Sequence, residues 1–448
     1  MSAIKRFFKL LTTTALMLSV LLLSGCSGFS LTADDFLSPP RASGEMYEIE
    51  EVLKETVNTA YTLKYPTAGE YRSAYILADL TGVGEENFAL AFYSTTNEEN
   101  STFMNLKLMQ KVDNEWMSVS DVVVNAVGVE KIEITDLNGD GVKEIIVGWN
   151  IYGGMDKKVN AYALNGLNLL PIMQENYTSF MCCDLIGNNR KELFLLYHDT
   201  VNITASAKYF SFEGDKVKTS SSCVIDGTAT SFNEPTFVVL PNKIPAIHID
   251  AVKGAGMQTE IVYCQNGKLV SAFYKPTIAE NYVHPTYRNN TVTSLDINGD
   301  GYLDIPLNRP IDIVFPGLDE STLNPITNWC SFNGRRLVST MQAVMNYSDG
   351  YYFEFPRIWA GRTTINIEIE NRIRTVCLWD TKNGTIISEL VKIRAISDVN
   401  WDKPDNGFND YKEITRKNGV VYAAMFSDYE GAEKITLEEL KKIFHIIE

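Results

Sequence analysis

Residues 135–149 read TDLNGDGVKEIIVGW, and residues 295–307 read LDINGDGYLDIPL. With Asp136 as the first place, oxygen-bearing side chains fall at the first, third and fifth places: Asp136, Asn138 and Asp140. Gly141 follows, where the backbone bends, and Glu144 stands at the ninth place. The second copy repeats the order with Asp296, Asn298, Asp300, Gly301 and Asp304. Carboxylates packed this closely repel one another unless a cation sits among them. Hard oxygen donors at alternating places suit calcium, with a main-chain carbonyl from Val142 or Tyr302 completing the shell. An EF-hand opens the same way but needs a glutamate at the twelfth place, which here holds Val147 and Leu307. The flanks, Lys-Ile-Glu-Ile-Thr before the first loop and Glu-Ile-Ile-Val-Gly-Trp within it and after, are β-branched and partly alternating. They predict strands, so each loop is a hairpin turn. Asp, Asn and Gly also build such turns without a metal. Two near-complete copies favour the cation, at the modest affinity of extracellular modules.

The loop has worn relatives. Asp79-Leu-Thr-Gly leads into the apolar run 87–92, and Asp184-Leu-Ile-Gly leads into 192–196. A looser relative starts at Asp250 and runs through Gly254 and Gly256 to 260–263. Asp79, Asp184, Asn188 and Glu192 form weak or degenerate metal loops, because Val83 and Ile186 stand where ligands belong. Arg190, Lys191 and Lys253 are tethered cations able to neutralise the acids. Two occupied calcium sites are therefore expected. The aspartates at 79, 136, 184, 250 and 296 recur about every 54 residues. That period fits four strands with turns, one propeller blade. The remainder, with units at 351–396 and 411–425, brings the count to about seven four-stranded blades. The expected fold is an all-β propeller over residues 46–448 with short terminal helices, one from Met46 to Asn58. The other follows the capping box that begins at Thr436, with Leu437, Leu440, Ile443, Phe444 and Ile447 at helical spacing.

The N-terminus bounds location. Lys5, Arg6 and Lys9 precede an apolar run at 10–23 that ends in Leu23-Ser24-Gly25-Cys26. Residues 1–25 read as a signal peptide, with Cys26 as a lipidated new N-terminus and 26–45 as a tether. The acyl chains would hold the protein on the outer face of the cell membrane. Removing residues 1–25 moves the net charge from −16 to −19, which argues against nucleic acid as a partner. Six further cysteines lack any Cys-x-x-Cys pair, and the four histidines are scattered without metal-ligand spacing.

On Asp136–Gly141 and Asp296–Gly301 the chain resembles the integrin-like FG-GAP or VCBS-repeat β-propellers, and among them the exported bacterial lipoproteins. The resemblance implies structural calcium in the acidic loops and ligands that meet the opposite face. It covers roughly 70–310 and departs from the pattern at Val83, Ile186 and Lys253. Fold alone does not give activity. No Gly-x-Ser-x-Gly elbow and no His-Glu-x-x-His motif occurs. The expectation is a non-catalytic binding module for a glycan or an exported protein. An envelope scaffold and a polysaccharide-active hydrolase or lyase are the alternatives. Tryptophans 149, 329 and 401 lie in loop-like contexts and suit stacking on sugars, or else burial between sheets.

Overall fold

Successive residues of a strand point to opposite faces of its sheet, and the strand after the first acidic loop shows what lies on each side. Ile145, Val147 and Trp149 pack into a cluster shared with the preceding sheet. Ile146 packs into a cluster shared with the following one. A strand covered on both faces must be apolar throughout, and Glu144–Asn150 is buried over all but its last residue. The computed structural model describes residues 44–99, 101–151, 157–275, 283–307, 326–380, 382–405 and 407–447.

Six antiparallel sheets follow one another along these residues. The second sheet is a plain four-stranded meander of Gly128–Thr135, Glu144–Asn150, Lys157–Asn165 and Asn168–Tyr177. The third is another, of Ser179–Cys183, Glu192–Asp199, Thr204–Glu213 and Lys216–Ile225. The first sheet ends on Thr102–Val112 and Glu115–Val124, and the fourth on Gly256–Gln265 and Lys268–Ser271. Each sheet packs on the next through its own apolar cluster, from first against second to fifth against sixth. Consecutive meanders stacked face to face make the fold an all-β propeller.

The ends of the stack are capped differently. Helix Glu45–Thr56, close to the expected span, lays Ile49 and Leu53 on the free face of the first sheet against Tyr75, Tyr93 and Trp116. On the sixth sheet Trp401, Phe408 and Tyr411 pack over Ile396, Val421 and Ala423. The C-terminal helix Leu437–Ile443 starts at the expected capping box, Thr436 Oγ1 accepting from Glu439 N at 3.2 Å and Thr436 N donating to Glu439 Oε2 at 2.8 Å.

Two expectations change here. The apolar spacing that reads as helix through Ile447 stops at Ile443. Phe444–Ile446 is instead a strand paired with Tyr351–Phe353, a backbone edge that gains more from hydrogen bonds than from another helical turn. The units at 351–396 and 411–425 merge, because Thr385–Ser397 pairs with Val420–Phe426, while Tyr351–Glu354 joins the fifth sheet. The described residues form six sheets, consistent with the expected count of about seven blades. The calls on residues 1–43, including the signal peptide, Cys26 and nearly all of the tether, lie outside the described residues.

Candidate functional site

Four loops share one bend. The leading aspartate accepts from the backbone N–H five residues on: Asp79 from Gly84 (2.8 Å), Asp136 from Gly141 (3.0 Å), Asp184 from Asn189 (2.8 Å) and Asp296 from Gly301 (2.8 Å). The donor residue is left-handed in each, at φ 88, 90, 63 and 85°, a conformation that glycine and, at some cost, asparagine adopt. Asn188 Oδ1 accepts from Arg190 N, as Asn138 does from Asp140 N and Asn298 from Asp300 N. The worn loops therefore keep the bend without the full ligand set, and side chain–backbone bonds alone maintain it.

The ninth place is buried in the two best copies. Glu144 is 2% exposed, and its oxygens accept from Leu137 N (2.7 Å) and Asn138 Nδ2 (2.9 Å). Burial first, then the charges of Asp140 and Asp136, push its carboxyl up to about 7 against the bond from Leu137. Asp304 is fully buried; Oδ1 accepts from Thr340 Oγ1 at 2.7 Å, while Oδ2 has no hydrogen-bond partner. Burial pushes it up to about 6; the Thr340 bond opposes this, and the charges of Asp300 and Asp296 add to it. In the third loop burial raises Glu192, whose Oε2 holds Leu185 N and Ile186 N.

The donor set, oxygen throughout, is of the kind calcium takes, and the unpartnered Asp304 oxygen is a buried acceptor that a cation would satisfy. Among the described residues, though, no three His, Cys, Asp or Glu side chains converge as a ready metal group. The first and fifth places are turned onto loop amides instead. Asp140 and Asp300 accept from Val142 N and Tyr302 N, and the Tyr302 hydroxyl takes a bond from Lys243 Nζ.

The looser relative at Asp250 is not a loop. Asp250 sits inside strand Pro245–Lys253, paired with Thr259, and its carboxylate binds Arg288 (3.1 Å) and Ser294 N (2.7 Å). Lys253 pairs with Asp226 rather than Asp250. The turn equivalent to the acidic loops is 240–244, which carries no acid. Arg190 likewise reaches out of its own loop, its guanidinium donating to Phe212 O and lying against Gly139 of the second loop. Lys143 N donates to Leu80 O (2.7 Å), so adjacent loops touch along one face.

The strand ends on the opposite face gather polar groups that sequence reading missed. Glu130 accepts from both Lys157 and Tyr177, and Ser179 Oγ donates to Glu234 Oε2 at 2.5 Å. Burial, then Glu130 and Glu234, raise Tyr177. His198 packs edge-on against Phe232, ring centroids 5.0 Å apart. Asp226, 5% exposed, binds Lys253, Thr228 and Gln258; these bonds outweigh burial and hold its carboxyl near 2. Trp149 is fully buried between the first two sheets and Trp329 between the fifth sheet and Val292 and Ile297, so neither offers a stacking face.

No family model and no curated protein matches the chain. Among solved structures it is similar to the Bacillus licheniformis rhamnogalacturonan lyase PL11, at 13% identity over 73% of this chain and 75% of that one, TM-score 0.31. It is also similar to the Dos1 propeller, at 8% identity over 85% of each, TM-score 0.29. A third is a Lactobacillus plantarum protein, at 9% identity over 73% and 86%, TM-score 0.27. Likeness this distant says nothing of activity, substrate or partner.

Proposed function

We propose that this chain is a lipid-anchored, extracytoplasmic binding module whose acidic loops are braced by calcium and whose opposite face meets a glycan or an exported protein. The reading rests on one observation above others. Three consecutive sheets bring Glu130, Tyr177, Glu234, His198 and Asp226 to the strand ends away from the acidic loops. Burying paired charges in a propeller wall stabilises little by itself, so their collection on one face is better accounted for by recognition.

Asp136, Asn138, Asp140 and Glu144 would hold one calcium, and Asp296, Asn298, Asp300 and Asp304 the other, with main-chain oxygens of Val142 and Tyr302. The metal would clamp a hairpin turn and supply no chemistry to a substrate. Anchorage through an acylated Cys26 completes the reading. The test is the full-length protein in detergent, applied to glycan and exported-protein arrays, with a hydrolase and lyase screen alongside. Binding weakened by Glu234→Gln supports the proposal. Polysaccharide turnover, or no ligand on either array, overturns it.

A further inference from the structure

A sheet edge with unpaired backbone groups recruits another strand unless it is short, charged with lysine or interrupted by proline. Among the described residues the outermost strands are guarded in these ways, with one exception. Asn168–Tyr177 carries Pro171, and Lys216–Ile225 carries two lysines. Lys268–Ser271 and Lys412–Lys417 begin with lysine, and Phe444–Ile446 is only three residues long. The outer strand of the first sheet, Glu115–Val124 (EWMSVSDVVV), is ten residues long with neither lysine nor proline. Its Met117 and Val123 are 47% and 64% exposed.

Beside this edge lies a groove. The outer strands of the first and second sheets touch where Leu169 N donates to Ser120 Oγ at 3.1 Å. Beyond that point they bound a groove of about 500 Å³ lined by Val122, Val124, Asn160, Pro171, Met173 and Gln174. Asn160 is 7% exposed, and its Oδ1 is buried with no hydrogen-bond partner. A buried acceptor left unsatisfied destabilises the fold, and a ligand N–H that reaches it removes that cost. An apolar wall, an open strand edge and one unsatisfied acceptor on a residue lining the groove together are the parts of a strand-addition site.

We propose that this groove takes an extended segment of another protein, added as a strand to Glu115–Val124, with alternate apolar side chains and at least one lysine or arginine. The charge requirement follows from the edge, where Glu115 is exposed and Asp121, bonded to Lys107 Nζ at 2.8 Å, stays half-exposed, and from the chain's net charge of −16. A second copy would bring the same acids and the same excess charge against them. The proposal rests on the binding-module reading and narrows its partner to a basic, apolar peptide segment.

Panning a random peptide library on the full-length protein in detergent supplies the probe. Enriched peptides are then synthesised and titrated by fluorescence polarisation against wild type, Val123→Lys, Asn160→Leu and Glu234→Gln. Val123 is exposed, so its lysine variant keeps the fold, and a melting curve checks both groove variants. Expected are alternating apolar, basic peptides that bind both groove variants about tenfold more weakly, the loss of a strand contact or a buried hydrogen bond. Unchanged affinity in both overturns the groove, as does concentration-dependent dimerisation abolished by Val123→Lys. Peptides lost only in Glu234→Gln sink the groove and spare the binding reading. No enrichment here together with empty arrays sinks both.

Discussion

The contact between neighbouring acidic loops can be tested with two alanines. Gly82 and Gly141 both have positive φ, 71° and 90°, so alanine at either strains the backbone; that cost is about 1–2 kcal/mol. Their surroundings differ. A Cβ on Gly141 meets nothing within 4 Å, whereas one on Gly82 lands 2.6 Å from the carbonyl oxygen of Gly141. That neighbour is backbone in the next sheet, fixed further by the Lys143 N–Leu80 O bond at 2.7 Å, and cannot swing aside as a side chain can. Overpacking of this kind adds about 1–3 kcal/mol. Gly141→Ala should therefore lower stability by about 1–2 kcal/mol and Gly82→Ala by about 2–5 kcal/mol. Urea unfolding followed by tryptophan fluorescence measures both, with chelator present so that any metal effect is removed. Equal losses would refute the claim that the loops abut. So would a loss at Gly141 larger than at Gly82.

Three further outcomes follow from the same geometry. Chelation should lower the melting temperature and Asp140→Ala should reproduce much of that loss, whereas Asp184→Ala should leave the calcium response intact; unchanged melting under both treatments would remove the metal from the account. His248 is 4% exposed, neither ring nitrogen has a partner, and burial lowers its pKa to about 4 although Asp250 pulls the other way. Protons then bind the unfolded chain first, so stability is full above pH 6.5, falls by about 2 kcal/mol by pH 5 and stops falling near pH 4. His248→Phe should flatten that limb of the pH–stability curve, and an unchanged slope would contradict the assignment. Thr436→Ala, which deletes the capping hydroxyl, should cost about 1 kcal/mol and speed hydrogen exchange across 437–446; exchange no faster than wild type would argue that the cap is dispensable.

What could be read in the sequence was local. Asp, Asn and Gly at fixed offsets write their own bend, and so the bends at 136 and 296 and the weaker ones at 79 and 184 were legible, although before Asp296 an isolated bridge, Leu295 to Asp304, stands where a strand is expected. The β-branched run 145–147 declared a strand, and its coverage on both faces came from the packing of the sheets. The N-terminal helix and the Thr436 cap likewise depend on neighbours a few residues away. What sequence hid was assembled across sheets: Tyr177 meets Glu130 over 47 residues, and Ser179 meets Glu234 over 55. Single residues give no sign of such pairs. Asp250 misled because its glycines belong to the turn at the other end of its strand. Phe444–Ile446 misled because a short apolar run satisfies helix and strand alike, and only Tyr351–Phe353 decides between them.

The pairing of Phe444–Ile446 with Tyr351–Phe353 bears on how the chain is made. Translation delivers the partner edge some ninety residues before its mate, so the fifth sheet waits with its outer edge open while everything between is made. A chain stalled or clipped in that interval displays Tyr351–Phe353 as a bare seam. Quality-control proteases would find there a ready mark of an unfinished molecule.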